Sequence, residues 1–363
     1  SITAALLWER FCAGGTPIAM VSMDNCSRNG EKLRSSVMTV VHQWLQRGFV
    51  TQDFVSWVQD EGRVSFPWSM IDKITPRPAK AVEDALTASG LEDMAPIVTK
   101  KNTFIAPFVN AEKPQYLVIE DQFPNGRPPL EKAGVYMTDR KTVEKTEKMK
   151  VTTCLNPLHT ALAVYGCLLG YTSIADEMKN PLLKNLVEKI GYSEGIPVVV
   201  DPKILSPINF IHEVIERRLP NPFMPDTPQR IATDTSQKVA IRFGETIKSY
   251  MERDALKPAD LTYIPLVIAG WLRYLLAVDD GGKPMKCSED PMLPALQAQL
   301  SCVKFGVPSS AGDKTLAPIL SNTNLFGVDL CQVGLSEKIS QMMRDMIAAP
   351  GAVLATLTRY LGR

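Results

Sequence analysis

One short stretch gathers side chains that could do chemistry. In Glu147-Lys148-Met149-Lys150-Val151-Thr152-Thr153-Cys154-Leu155-Asn156-Pro157-Leu158-His159, a lysine, an asparagine and a histidine surround a helix start. Asn156-Pro157 reads as an N-cap followed by proline at the first helical position, where its missing N–H costs nothing. Leu158 to Leu169 is apolar almost all the way round, which predicts a buried helix. His159 then falls on the same side as Asn156, and Lys150 precedes the cap by a short tether. A lysine against apolar walls loses its proton more readily and can serve as a base near neutral pH. A carboxamide can hold a developing alkoxide, and a histidine can orient a hydroxyl. At the positive end of a helix dipole, this set could oxidise an alcohol or reduce a ketone without a metal. The bland counterpart is a capped helix preceded by a solvated lysine.

Composition narrows the classes. A chain of 363 residues favours two domains, and 45% hydrophobic with 22% charged residues is ordinary for a globular protein. A formal net charge of +1 gives no reason to expect a nucleic-acid or membrane partner. Seven cysteines without a C-x-x-C pair suit a reducing cytoplasm. The three histidines, His42, His159 and His212, are far apart, so no zinc site is expected. No apolar run has the length of a membrane span; Leu261 to Val278 comes nearest and contains Arg273. Ser1 to Cys12 lacks the basic start and cleavage site of a signal peptide.

The positioning elements follow in order. Ser1 to Phe11 is helical by pattern, Gly14-Gly15 breaks it, and Pro17 to Ser22 reads as a short buried strand. Asn25, just past that strand, stands where parallel sheets place ligands; its bland alternative, shared with Asp24 and Asn29, is to shape a loop and cap the helix Glu31 to Gly48. Thr51 to Glu61 and Ala79 to Gly90 read as helices, Thr103 to Phe108 and Tyr116 to Asp121 as strands, and Gln122 to Lys141 as a loop. From about Lys141 the pattern is almost wholly helical, with cap-plus-proline starts at Asn180-Pro181 and Ser206-Pro207, and Val198 to Val200 the one suggested strand. The shift in pattern near residue 141 is the expected domain boundary, with an α/β part before it and a helical part after it. The fold class is α/β plus all-α.

Taken together, these segments resemble the polyol-specific long-chain dehydrogenases: mannitol dehydrogenase and its relatives that interconvert fructuronate with mannonate, or tagaturonate with altronate. The pieces that carry the resemblance are Ser22-Met23-Asp24-Asn25 with Asn29-Gly30, then Phe66 to Pro76, Ile119 to Phe123 with Gly126-Arg127-Pro128, Lys150 to His159, and Arg230 with Lys238. They are collinear and cover nearly the whole chain, and the resemblance implies that residues 1–140 are the remainder of a Rossmann-like cofactor-binding domain and residues 141–363 a helical substrate-binding domain. The resemblance implies that Lys150 is the general base, that Asn25 and Asn156 hold the oxygen, and that His159 positions the substrate hydroxyl. It further implies that Asp72 and Asn25 line the nicotinamide site, that Arg230 and Lys238 grip the far end of the substrate, and that Glu147 relays the proton. The implied cofactor is NAD, with NADP the open alternative.

There are two departures from the family pattern. Lys150 lies six residues before Asn156, where the family usually has five, which leaves Lys148 as the alternative base. The glycine-rich strand–turn–helix of a dinucleotide fold is absent from these residues, so an N-terminal cofactor-binding segment is expected outside them. Two cations favour an anionic substrate, hence a mannonate/fructuronate pair. The alternatives are a polyol 2-dehydrogenase, or a non-catalytic binding protein that lost its cofactor half. The expected partners are a small sugar acid or polyol and, at most, a few copies of the same chain.

Overall fold

The computed structural model describes residues 1–75, 78–109, 111–224 and 226–362. Pro76, the end of the Phe66–Pro76 motif, lies outside the described residues. By packing, the chain divides into two compact units. One comprises Ser1–Ile74, Glu112–Lys148 and Asp201–Leu205; the other comprises Thr75–Ala111, Met149–Val200 and Ser206–Arg363.

In the first unit, α1 (Ile2–Cys12) leads through Gly14-Gly15 into β1 (Ile18–Ala19), which pairs in parallel with β2 (Val64–Ser65). A parallel pair needs a long crossover, and α2 (Asn29–Gln46) with α3 (Gln52–Gln59) supplies it. Val37 and Val41 of α2 lie one helical turn apart and pack with Leu7, Phe54, Val55, Val58 and Val64 into one core. Trp8 meets Phe54 edge-on at 5.0 Å between ring centroids, a favourable aromatic geometry. The buried Trp57 indole N–H is satisfied by Gly15 O at 3.0 Å.

A second sheet pairs β3 (Ser69–Asp72) antiparallel with β6 (Tyr116–Glu120), and β6 in parallel with β7 (Tyr136–Thr138). Its core is Trp68, Met70, Val118, Val143 and Leu205. The expected loop 122–141 therefore contains a strand, three residues long and too short to show a period. Buried Asn29 fastens the loop after β1. Its Nδ2 donates to Ser22 O, Asp24 O and Ser69 Oγ, while its Oδ1 accepts from the amides of Gly30 and Ser69. Gly30 is needed beside it, because a Cβ there would sit 2.5 Å from Phe66 O.

The second unit holds α4 (Lys80–Ala88), an antiparallel hairpin of β4 (Ile97–Val98) and β5 (Phe104–Ile105), and then helices. After α5 (Arg140–Met149), which belongs to the first unit as far as Lys148, come α6 (Asn156–Leu169), α7 (Ile174–Glu177), α8 (Pro181–Glu188), α9 (Pro207–Glu213), α10 (Pro228–Ile231), α11 (Glu245–Met251) and α12 (Tyr263–Tyr274). Then follow α13 (Leu293–Gln299), α14 (Asp313–Leu320), α15 (Thr323–Phe326), α16 (Ser336–Met346) and α17 (Ala352–Leu361). As the apolar run implied, α6 is buried along its length; it packs on α12, which packs in turn on α16. Glu194 closes the N-terminus of α12, its carboxylate accepting from the amides of Thr262, Tyr263 and Ile264 at 2.5–2.8 Å.

Asn180 and Ser206 cap α8 and α9 as expected. Val198 to Val200 is not a strand: a 3₁₀ turn covers Ile196–Val198, Pro197 has no N–H to give a ladder, and Val198 is buried among helices. Among the described residues four segments are π-helical, at Lys150–Cys154, Lys189–Gly195, Val214–Arg218 and Ala240–Gly244. Among the described residues no helix is long and apolar enough to cross a membrane.

Candidate active site

Lys150 opens the π turn that feeds α6 and is 4% exposed, whereas Lys148, two residues earlier, is exposed. The turn closes by a bond from Leu155 N–H to Lys150 O at 3.1 Å. A π turn takes one residue more than an α turn, so it absorbs the extra residue between Lys150 and Asn156. It also changes how α6 begins. Asn156 is the first helical residue and Leu155 the residue before it, and the Asn156 side chain makes no capping bond. The expected cap is thus corrected: the incoming π turn occupies the place of the free coil that an N-cap requires. Pro157 keeps its position in the first turn.

Further along the same turn, Thr160 Oγ1 donates to Asn156 O at 2.9 Å. His159 Nε2 lies 3.3 Å from Asp226 Oδ2. The same carboxylate takes both prongs of Arg230, Nε at 2.7 Å and Nη2 at 2.6 Å. Burial pushes the Asp226 carboxyl up, but the hydrogen bonds and charges of His159 and Arg230 outweigh it and hold the group below the usual carboxylate range. Asp226 therefore orients the imidazole and fixes the guanidinium. Lys238 donates to Thr233 O. Burial first, then the charges of Arg242 and Arg230, lower its pKa. Arg242, on the π segment 240–244, donates from Nη1 to Thr160 Oγ1.

The remaining expected residues belong to the first unit. Asn25 is exposed in the loop after β1, and Asp72 is buried at the end of β3 opposite Tyr116. Glu147 Oε2 accepts from the Arg28 amide at 3.4 Å, and Arg28 also pairs with Glu144. So the structure links His159 to Arg230 through Asp226 and sets Lys150 on the turn before Asn156. Asp226, Thr160 and Arg242 went unnoticed in the sequence. The signal for Asp226 was its spacing of four to Arg230 across the helix start Thr227-Pro228.

Residues 1–132 match the family model described as the mannitol dehydrogenase Rossmann domain, and residues 142–347 match the mannitol dehydrogenase C-terminal domain. The chain belongs to the mannitol dehydrogenase family. The fold class expected from sequence, part of a Rossmann domain followed by a helical domain, is the one observed. Among relatives of the family, the D-mannonate oxidoreductase of Thermotoga maritima is 60% identical over 99% of this chain and 66% of its own length. The mannitol 2-dehydrogenase of Neosartorya fischeri is 30% identical over 98% of this chain and 64% of its own. A D-sorbitol dehydrogenase crystallised substrate-free superimposes with a TM-score of 0.75 at 27% identity, covering 97% of this chain and 65% of that one. The ternary complex of Pseudomonas fluorescens mannitol 2-dehydrogenase with NAD and D-mannitol has the same fold, with a TM-score of 0.71 at 24% identity, covering 99% of this chain and 65% of that chain. The chain spans about two thirds of the length of these relatives.

Proposed function

We propose that this protein interconverts a secondary alcohol and a ketone of a sugar acid, of the mannonate/fructuronate type, with NAD as cofactor. The observation that carries the reading is Lys150, buried on the turn that delivers Asn156 and His159; the 60% identity to a D-mannonate oxidoreductase supports it. Residues 1–140 are assigned to the cofactor and 141–363 to the substrate. The fit of a nicotinamide cofactor rests on the loop after β1, which opens at the carboxyl end of a parallel strand and is pinned by Asn29. Asn25 and Asp72 would hold the nicotinamide end. Bound nicotinamide supplies the hydride acceptor.

The chain's own residues do the rest. Hydride leaves carbon only as the hydroxyl loses its proton, so a base and oxyanion donors must serve one oxygen. Lys150 Nζ takes that proton in oxidation and returns it in reduction. Glu147 is assigned the relay to solvent. Asn156 donates to the oxygen as it gains charge. His159, oriented by Asp226, positions the hydroxyl. Arg230 and Lys238 contact the far end of the substrate.

The test follows nicotinamide absorbance in the full-length protein with fructuronate, tagaturonate, fructose and mannitol, each with both nicotinamide cofactors. Fructuronate is expected to give the highest kcat/KM. A preference for fructose and mannitol would move the assignment to a polyol dehydrogenase, and turnover of none would sink the enzymatic reading.

A further inference from the structure

Arg230, Lys238 and Arg242 all stand near the first turn of α6. Arg230 is the residue that sequence would choose to grip a substrate carboxylate, but its fork is already taken by Asp226. Lys238 has Asp234 and Asp290 in its electrostatic surroundings and gives a hydrogen bond to Thr233 O. Arg242 differs from both. It is partly buried, it pairs with no carboxylate among the described residues, and its one side-chain hydrogen bond there goes to the neutral hydroxyl of Thr160, next to His159.

A buried guanidinium without a counter-ion is costly, and such charges are ordinarily paired. The cost shows in its own ionisation: burial brings Arg242 down to about 10, with no acid to offset it. Its charge also depresses Lys238, so the two cations stand close enough to repel each other. The two prongs not spent on Thr160 match a carboxylate's geometry.

We propose that Arg242 binds the carboxylate of the substrate and sets the preference for a sugar acid over a neutral polyol. This rests on the assignment of the Lys150–Asn156–His159 site to a sugar acid. The bond to Thr160 gives a competing role, in which Arg242 merely braces the first turn of α6.

Steady-state kinetics in the full-length protein separates the two. Arg242→Leu and Arg242→Lys are compared with Thr160→Val, which removes the brace and keeps the cation, using mannonate and mannitol as substrates. Loss of Arg242's charge should lower the ratio of kcat/KM for mannonate to that for mannitol by roughly 10- to 100-fold, the worth of one charge-assisted hydrogen bond. Arg242→Lys should fall between, and Thr160→Val should leave the ratio within about threefold. An unchanged ratio in Arg242→Leu, or an equal ratio shift in Thr160→Val, overturns the proposal. Should wild type turn over no hexonate, the functional reading has failed, and calorimetric binding of gluconate against sorbitol decides this one. Gluconate binding lost in Arg242→Leu and weakened in Arg242→Lys sustains the carboxylate site, and undiminished binding refutes it. Arg242→Lys keeps the comparison open if the leucine variant does not fold, as judged by circular dichroism.

Discussion

Lys148 and Lys150 are separated by one methionine yet differ in solvent, the first exposed and the second 4% exposed. Only the second has the surroundings that a general base requires. Lys150→Ala is therefore expected to lower kcat by roughly 10²- to 10⁴-fold, with Lys148→Ala close to wild type; the reverse order in single-turnover assays would reassign the base. The residue types of the proposed site stood out in the sequence because Lys, Asn and His near a proline-marked helix start are an uncommon set. Their partners were not. Asp226 lies 67 positions beyond His159 (226 − 159), and the pairing that orients the ring exists only once α6 and the start of α10 are packed together. Periodicity has no access to such a contact.

Most elements were legible where apolar periodicity ran for two turns or more, as in α2, α3, α6 and α12. What sequence missed was the manner of joining. The same Asn-Pro pair that caps α8 does not cap α6, because a π turn feeds α6 directly. Local propensity reads the dipeptide and not the chain that enters it. Likewise Asn29 looked like a helix-start residue, but its amide ties together Ser22, Asp24 and Ser69. Asn29→Ala should destabilise the first unit by about 2–3 kcal/mol, since buried backbone and hydroxyl groups lose their partner. Chemical denaturation checks this; a loss below about 0.5 kcal/mol, the level of an ordinary surface change, would show that the loop is held by other contacts.

At the level of the whole molecule, a buried acid should make stability fall as pH rises. Glu177 has no solvent exposure and no hydrogen-bond partner among the described residues, and it lies against Gly166 of α6, where a Cβ would come within 2.1 Å of its Oε1. Burial, with the charge of Asp226 added, pushes its pKa up from 4.5 to about 9. Well below pH 4.5 both folded and unfolded chains hold the proton, so ionisation adds no cost there. As pH rises the unfolded chain ionises first while the folded one stays protonated, and unfolding gains until about pH 9, where the effect levels off. Glu177→Gln keeps the shape without the ionisation. Its Tm should fall less than that of wild type between pH 5 and 9, with the two curves closest at the acid end; parallel curves in scanning calorimetry would refute the assignment.

Glu194 closes the start of α12 from 68 to 70 positions upstream. The most apolar helix of the second unit thus cannot finish its own N-terminus from neighbouring sequence. It must wait for a distant loop to arrive, and closing a loop of that length costs chain entropy before any contact repays it. In pulse-labelled hydrogen exchange during refolding, the amides of Thr262, Tyr263 and Ile264 should gain protection late, after the middle of their own helix, and in step with the segment that carries Glu194.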